Sequence, residues 1–105
     1  GRVPALRLAS RFPKAAYKRP RLLGTLTVPY PLRAAFAHRD GRITVLLLID
    51  ANGNVTETTL YPDDPYFSST VLAALRGARF SPAEEASATP LAYWAILEFV
   101  FHMRR

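Results

Sequence analysis

The alternation of apolar and polar residues along this chain predicts three β-strands. The first spans residues 42–50, where every second residue is apolar and forms one core-facing set. Asn52-Gly53 follows, a pair typical of hairpins because the two central positions of such turns favour positive φ. Residues 55–61 then return antiparallel, and residues 91–103 form the third strand. The first and third strands are apolar on much of both faces, so their second face needs cover from the N-terminal residues, a second copy or a ligand.

Two helices are predicted beside these strands. Pro31 suits the first turn of a helix, which continues through residues 32–38. An apolar stripe at helical spacing predicts a second helix that opens at residues 67–69, with Ser68 or Ser69 as its N-cap. The resulting fold is α+β, in the order α-β-β-α-β: a small antiparallel three-stranded sheet packed on one face by two helices. The first strand is the most apolar, so we expect it at the centre, with the second and third strands as the edges.

Residues 1–27 differ in composition from residues 28–105, and we interpret them as an irregular basic arm, or linker, in front of a single domain. Prolines and a glycine interrupt this arm, and no apolar period persists in it. Residues 1–42 hold ten Lys or Arg and one acid, a net charge of +9, whereas residues 43–105 hold four basic and seven acidic residues, a net charge of −3. The simpler interpretation is a solvated linker. The alternative is attraction to an anionic partner: nucleic acid, lipid head groups or an acidic protein.

The residue patterns give no support to catalytic or metal chemistry. The absence of cysteine excludes disulfides, thiolate nucleophiles and sulfur-ligated zinc. His38 and His102 stand far apart without a metal-binding motif, and the adjacent acidic pairs at 63–64 and 84–85 do not converge as a catalytic dyad. We therefore expect a protein that is not an enzyme and needs no cofactor and no metal. Because the chain begins with Gly1, we also expect a processed chain or an excised fragment, with any membrane anchor outside it.

Residues 28–103 carry a more specific pattern. Its most specific part is the run that closes the second helix, Arg79-Phe80-Ser81-Pro82-Ala83. The other positions of the pattern are Tyr30, Pro31, Ala34, Gly41, Ile43, Val45, Leu47, Ile49, Asn52, Gly53, Val55, Phe67, Leu72, Ala74, Phe99, Val100 and Phe101. Together these residues resemble the C-terminal periplasmic domain of TonB-family energy transducers, over about residues 28–103.

The resemblance implies a non-catalytic docking module in the periplasm, tethered to the inner membrane by a segment expected outside this sequence. It implies two partners: an inner-membrane proton-channel pair, reached through that segment, and an outer-membrane TonB-dependent transporter that takes up siderophores or nutrients. The transporter's TonB box would pair as an extra strand along the third strand. The partner-binding residues carried over by position are Pro29, Tyr30, Pro31, Tyr93, Trp94, Ala95, Ile96, Leu97, Glu98, Phe99, Val100 and Phe101.

Two other functions stay open beside this one. A self-associating structural domain of a periplasmic envelope protein, such as a homodimer, would bury against another copy the side chains of Leu46, Leu48, Trp94 and Ile96. A binder of anionic partners would use the basic residues between 2 and 21, with affinity that falls steeply as salt rises. We do not expect nucleic acid as the partner, because packing explains Tyr93 and Trp94 better than base stacking does.

Overall fold

The computed structural model describes residues 5–10 and 18–103, with side chains described from residue 18 onward. In chain order the elements are β1 (Ala5–Ser10), β2 (Leu22–Leu23), α1 (Leu32–Phe36), β3 (Gly41–Ile49), β4 (Val55–Tyr61), α2 (Ser68–Arg76), β5 (Arg79–Phe80), β6 (Ala83–Glu84), β7 (Pro90–Leu91) and β8 (Tyr93–Phe101). Four of these strands build the main sheet. Two short pairs, β2 with β5 and β6 with β7, lie outside it.

The main sheet has the strand order β1-β8-β3-β4, and every neighbouring pair is antiparallel. β3 and β8 pair in one unbroken register, from Gly41 opposite Phe101 to Ile49 opposite Tyr93. The pairing of β3 with β4 is less regular, because the register shifts between Leu48 and Ile49. β8 therefore lies inside the sheet, with β3 on one side and β1 on the other.

One face of the sheet carries the hydrophobic core. On β3 the core residues are Ile43, Val45, Leu47 and Ile49, all fully buried. The two helices cover this face, with Ala34 from α1 and Val71 and Leu75 from α2 among the buried residues. Burial of each large aliphatic side chain contributes about 1.5–3 kcal/mol. The alternation along β3 and β8 thus determines which face of the sheet the helices cover.

The predicted α+β fold is confirmed, with a three-stranded antiparallel body, two helices and β3 at its centre. α1 ends at Phe36, before the predicted end, and His38 adopts a positive φ of 54° that no right-handed helix allows. The predicted N-cap of α2 was wrong, because Phe67 holds that position. The Ser68 hydroxyl instead accepts a hydrogen bond of 2.7 Å from the Asp64 N–H.

The predicted hairpin forms, but through a loop of residues 50–54 rather than a two-residue turn. The Asp50 carboxylate organises the loop by accepting hydrogen bonds from the N–H groups of Asn52 and Asn54, both at 2.9 Å. The expectation of positive φ at both Asn52 and Gly53 was wrong, since Gly53 alone of the pair has it, at 85°. A Cβ at Gly53 would collide with the carbonyl oxygen of Phe80, so this position accepts glycine alone.

The expectation of an irregular arm was wrong for Ala5–Ser10, which form β1 and pair antiparallel with β8. The expectation that β8 would be an edge strand was wrong for the same reason. The outer strands of the described sheet are β1 and β4. Pairing with β1 satisfies main-chain N–H and C=O groups of β8 that would otherwise depend on water or a partner.

The end of the arm is also attached to the fold. Lys18 and Glu84 exchange two main-chain hydrogen bonds, each 3.0 Å long. The Arg21 carbonyl accepts a hydrogen bond of 2.8 Å from the Ser81 N–H, and the Arg21 N–H donates one of 2.9 Å to the Ser81 hydroxyl. The predicted division between an arm of residues 1–27 and a domain of residues 28–105 stays a prediction. The basic residues Arg2, Arg11 and Lys14 lie outside the described residues.

Candidate partner-binding edge

The candidate site is the main-chain edge of β8 that faces away from β3, which we call the β8 edge. Here β8 pairs with β1 in an unbroken register, from Ala5 opposite Val100 to Ser10 opposite Ala95. In an antiparallel pair the two strands exchange hydrogen bonds between N–H and C=O groups. The β8 edge therefore accepts an extended segment of six residues in this structure.

The nine predicted site residues from 93 to 101 form the whole of β8, and their side chains alternate between two environments. One set lies in the core, at most 4% exposed: Tyr93, Ala95, Leu97, Phe99 and Phe101. The other set is half-buried on the opposite face: Trp94, Ile96, Glu98 and Val100. The first set can serve a partner through its main chain alone, whereas the second set also offers side chains beside the edge.

The structure brings Tyr30 against the end of β8, but as a packing residue. Its ring makes edge-to-face contacts with Phe67 and Phe101, at centroid distances of 5.9 and 5.8 Å. Tyr30 is 9% exposed, and its hydroxyl donates a hydrogen bond to the main-chain carbonyl of Arg39. The flanking residues differ: Pro29 is exposed, while Pro31 is half-buried at the N-cap of α1. Of this predicted group, Pro29 is the residue most accessible to a partner.

Glu98 gives the β8 edge a single negative position. Its carboxylate lies 3.3 Å from the Arg42 guanidinium, with the two side chains 21% and 66% exposed. The register places Arg7 of β1 directly opposite Glu98, and Thr44 of β3 opposite it on the other side. Ion pairs at such exposed positions contribute about 0–1 kcal/mol. The ion pair with Arg42 therefore contributes little to the stability of the fold.

A second surface lies on the sheet face turned away from the core, which we call the open face. Leu46 of β3 stands opposite Ile96, and Leu48 opposite Trp94. All four residues are half-buried, and none belongs to the core cluster that the helices cover. The residues that sequence analysis assigned to self-association are thus brought together on one face.

The opposite outer edge of the sheet belongs to β4, and no described strand pairs with its outer side. The middle of this strand is polar and exposed: Thr56, Glu57, Thr58 and Thr59. An open groove separates β4 from α2 and is lined by Val55, Thr56, Glu57, Thr58, Leu72, Leu75 and Arg76. The three strands β8, β3 and β4 therefore have two outer edges of different character: the β8 edge pairs with β1, and the β4 edge is exposed.

Neither metal binding nor membrane spanning is visible in the described part of the chain. Within residues 5–10 and 18–103, no three His, Asp or Glu side chains gather as metal ligands would. His102 lies 3.3 Å from the Asp40 carboxylate in a solvent-exposed pair. In the same residues, no helix combines the length and the apolar character needed to cross a bilayer.

β1 is the element at this site that sequence reasoning missed. The signal was present but short: residues 5–10 read Ala-Leu-Arg-Leu-Ala-Ser, in which Leu6 and Leu8 flank a charged residue, between Pro4 and Pro13. A period of two over so few residues is too brief to distinguish a strand from a linker. Its pairing partner stands at the other end of the chain, so no local pattern could identify the contact.

Residues 27–103 match the protein family described as the Gram-negative bacterial TonB protein C-terminal domain. The match covers most of the chain, and the chain belongs to this family. The comparison with curated proteins found no match. Family membership makes the chain a TonB-like periplasmic domain involved in TonB-dependent transport. The family is non-enzymatic, and its members interact with outer-membrane transporters.

Proposed function

We propose that this member of the TonB C-terminal family is a docking module whose outer-membrane transporter adds its TonB box as a strand along the β8 edge. Docking would couple the transporter to the proton-motive energy of the inner membrane and so drive active uptake of siderophores or other nutrients. The coupling requires a tether to the inner membrane and a proton-channel pair, both outside these residues. The observation that supports the proposal is the pairing of β1 with Ala95–Val100, in which this side of β8 pairs with an extended segment over six consecutive residues.

Strand addition suits a module that serves transporters of different sequence. The bonds come from the main chain, so they tolerate variation in the ligand, and neighbouring side chains supply selectivity. On β8 those side chains are Trp94, Ile96, Glu98 and Val100. Each main-chain hydrogen bond contributes about 1 kcal/mol net. A short added strand therefore binds with modest affinity, which permits repeated engagement and release.

β8 is also well attached to the rest of the fold, as transmission of force requires. Its inner side pairs with β3 along the whole strand. Its core side chains include Leu97 and Phe99, and Phe101 stacks on Phe67 with ring centroids 4.5 Å apart. A pull on a ligand strand lying along β8 is therefore shared among many bonds and core contacts rather than concentrated at one residue.

Site-specific photo-crosslinking tests the location of docking. A photoreactive residue would replace Ile96 beside the β8 edge or, as a matched control, Thr58 on the exposed β4. The probes are synthetic peptides with the periplasmic N-terminal sequences of the source organism's outer-membrane transporters. Crosslinking is expected at position 96 and not at position 58. Amide protection of β8 is a poorer readout, because β1 already pairs with these residues in the free chain.

Two outcomes would contradict the proposal in different ways. Crosslinks confined to position 58 would move docking to the β4 edge and leave the docking function in place. Saturating peptide with no crosslink at either position, and no change in fluorescence polarisation of labelled peptide, would count against docking of transporter segments altogether.

Self-association is the second candidate function, and the open face favours it. Leu46, Leu48, Trp94 and Ile96 form a continuous half-buried apolar strip over two paired strands. A second copy would bury this strip from water, which is favourable in proportion to the apolar area removed. Sedimentation equilibrium is the test: dimers that Leu48→Lys disrupts would support self-association, whereas monomers at every concentration would eliminate it.

A further inference from the structure

We propose that β1 is an internal occupant of the β8 edge, which an incoming transporter segment must displace, so that the arm controls access to the docking site. This inference rests on the proposed function, because it concerns the regulation of the same edge. It adds to that function a competing ligand contained in the chain itself. Docking then depends on release of the arm as well as on the affinity of the transporter segment.

The first argument is the overlap of the two binding positions. β1 pairs with Ala95–Val100, which is the middle of the segment assigned to the partner. A β-strand has two main-chain edges, and the inner edge of β8 is already paired with β3 throughout its length. The outer edge can pair with one strand at a time. A transporter segment and β1 therefore exclude each other from these six residues.

The second argument is the attachment of the arm. Lys18 is held by two main-chain hydrogen bonds to Glu84, and β1 ends at Ser10, so residues 11–17 separate two fixed positions. A short connection of this kind gives the segment an effective concentration in the millimolar range beside its site. A free peptide must compete with that concentration. The apparent affinity of the free peptide equals its intrinsic affinity multiplied by the fraction of molecules whose β8 edge is vacant.

The third argument is that β1 can leave without disturbing the elements that hold the domain together. β1 is the outermost strand of the described sheet, where it pairs with β8. The side chains that the structure describes, from residue 18 onward, build a core cluster between Val28 and Phe101. Displacement of β1 therefore exchanges one edge strand for another and leaves the β8-β3-β4 ladder in place.

A disulfide that locks the arm provides the sharpest test, because the chain has no cysteine of its own. Ala9 and Ile96 stand directly opposite each other, and directly paired strand positions bring Cα atoms to about 4.5–5.5 Å, within disulfide range. The variant Ala9→Cys/Ile96→Cys is expected to lose transporter-peptide binding when oxidised and to recover it on reduction. The matched control is Leu46→Cys/Thr59→Cys, which crosslinks β3 to β4 and is expected to leave binding unchanged.

The opposite change releases the arm. N–H groups of consecutive strand residues point to opposite sides, so Leu8→Pro/Ala9→Pro removes one donor to β8 whichever residue supplies it. If β1 occupies the edge in about 90–99% of molecules, this variant should bind the peptides about 10- to 100-fold more tightly than the unchanged chain. A labelled synthetic peptide with the sequence of residues 4–11 is a second probe. It should bind the double-proline variant, and unlabelled transporter peptide should displace it.

The outcomes separate this inference from the proposed function. Equal binding by the oxidised lock, the reduced lock and the unchanged chain would overturn arm control while docking itself stands. Transporter peptide that binds the double-proline variant without displacing the arm peptide would overturn both arm control and the assigned edge. Absence of transporter-peptide binding to every variant, with residues 4–11 still bound in trans, would overturn the proposed function. Circular dichroism of each variant verifies that the fold persists.

Discussion

The two outer edges of the β8-β3-β4 body differ in ways that explain why one of them recruits a strand. β8 follows β3 in one unbroken register, and its outer side pairs with β1. β4 has a register shift against β3 and carries Glu57 among exposed threonines. Bulges and charged side chains are common means of protecting an edge strand from unwanted pairing. In the described sheet, the edge that pairs with a further strand is the regular one, and the edge with a register shift pairs with none.

The proposed docking site is not the β4 edge, although no described strand pairs with the outer side of β4. α2 flanks this edge across an open groove. The β8 edge, in contrast, pairs with β1, a segment of the same chain. We therefore keep the β8 edge, rather than the β4 edge, as the proposed docking site.

The largest expected effect comes from proline in the inner strand. Leu97→Pro removes a ladder donor whichever neighbour it serves, since β8 pairs on both sides, and it also removes a side chain that is 3% exposed. The lost side chain alone should lower the free energy of unfolding by about 2–5 kcal/mol, and the lost hydrogen bond adds to this. Urea denaturation measures this loss. Circular dichroism has to show a folded protein before any change in binding is interpreted.

The matched variants for this prediction lie on β4. Of Thr58→Pro and Thr59→Pro, one removes an N–H that faces β3 and the other removes an N–H that faces away from the sheet. We expect one of the two to be much milder than Leu97→Pro. Equal and large losses for both would show that the outer side of β4 is engaged by something, and the contrast between the edges would fail.

An intermediate effect is expected at the loop that begins β4. Gly53→Ala combines a φ of 85° with a collision between the new Cβ and the Phe80 carbonyl oxygen. Backbone strain of this kind costs about 1–3 kcal/mol, and the collision adds to it. Gly77→Ala is the control, because no heavy atom lies within 4 Å of its Cβ position and its φ is −95°. We expect this control to be neutral or to stabilise by about 0.4–1 kcal/mol.

Hydrogen exchange shows where the strain at Gly53 acts. Because the Gly53 carbonyl accepts a hydrogen bond of 2.9 Å from the Phe80 N–H, the loop joins β4 to β5. Amides of β4 should exchange faster in Gly53→Ala, while those of β8 should keep their protection. A uniform increase across both strands would mean that the two edges do not respond independently.

The smallest expected effect concerns the charge opposite Glu98. Arg7→Glu places like charges at directly paired positions of β1 and β8, which destabilises such a pair by about 0.2–1 kcal/mol. Weaker arm pairing should raise the affinity for transporter peptide by up to about fivefold, measured by fluorescence polarisation. The peptide affinity of Arg7→Gln should lie between those of the unchanged chain and Arg7→Glu. High salt should reduce the difference in affinity among the three proteins. If Arg7→Glu binds transporter peptide with unchanged affinity at low salt, Glu98 has no effect on which strand pairs with β8.

Much of the domain was predictable because its signals are local. The alternation in β3 and β8, the apolar stripe of α2 and the glycine of the hairpin each lie within a few residues of the structure they specify. The wrong prediction of the N-cap of α2 also came from a local signal. Ser68 looked like an N-cap by residue type, but the turn that Asp64 organises before α2 recruits its hydroxyl instead.

The candidate site was predictable in part. The resemblance to the TonB C-terminal family assigned partner binding to residues 93–101. The alternation of side chains along this strand indicated that about half of them would be buried. The role of Tyr30 could not be read from the sequence. Whether an aromatic residue after a proline meets solvent or a core depends on the aromatic rings that surround it, here Phe67 and Phe101.

The sequence by itself determined the α+β class, the order of the two helices and of the strands β3, β4 and β8, the position of β3 between the other two, and the absence of cysteine chemistry. Tertiary structure alone decided that Ala5–Ser10 pair with Ala95–Val100, and it set the register that places Leu46 opposite Ile96 and Leu48 opposite Trp94. The physical reason is range. Periodicity and turn chemistry act between neighbouring residues. The partner of a strand edge, in contrast, is the segment whose pairing with those N–H and C=O groups is most favourable, and this segment can lie far away along the chain.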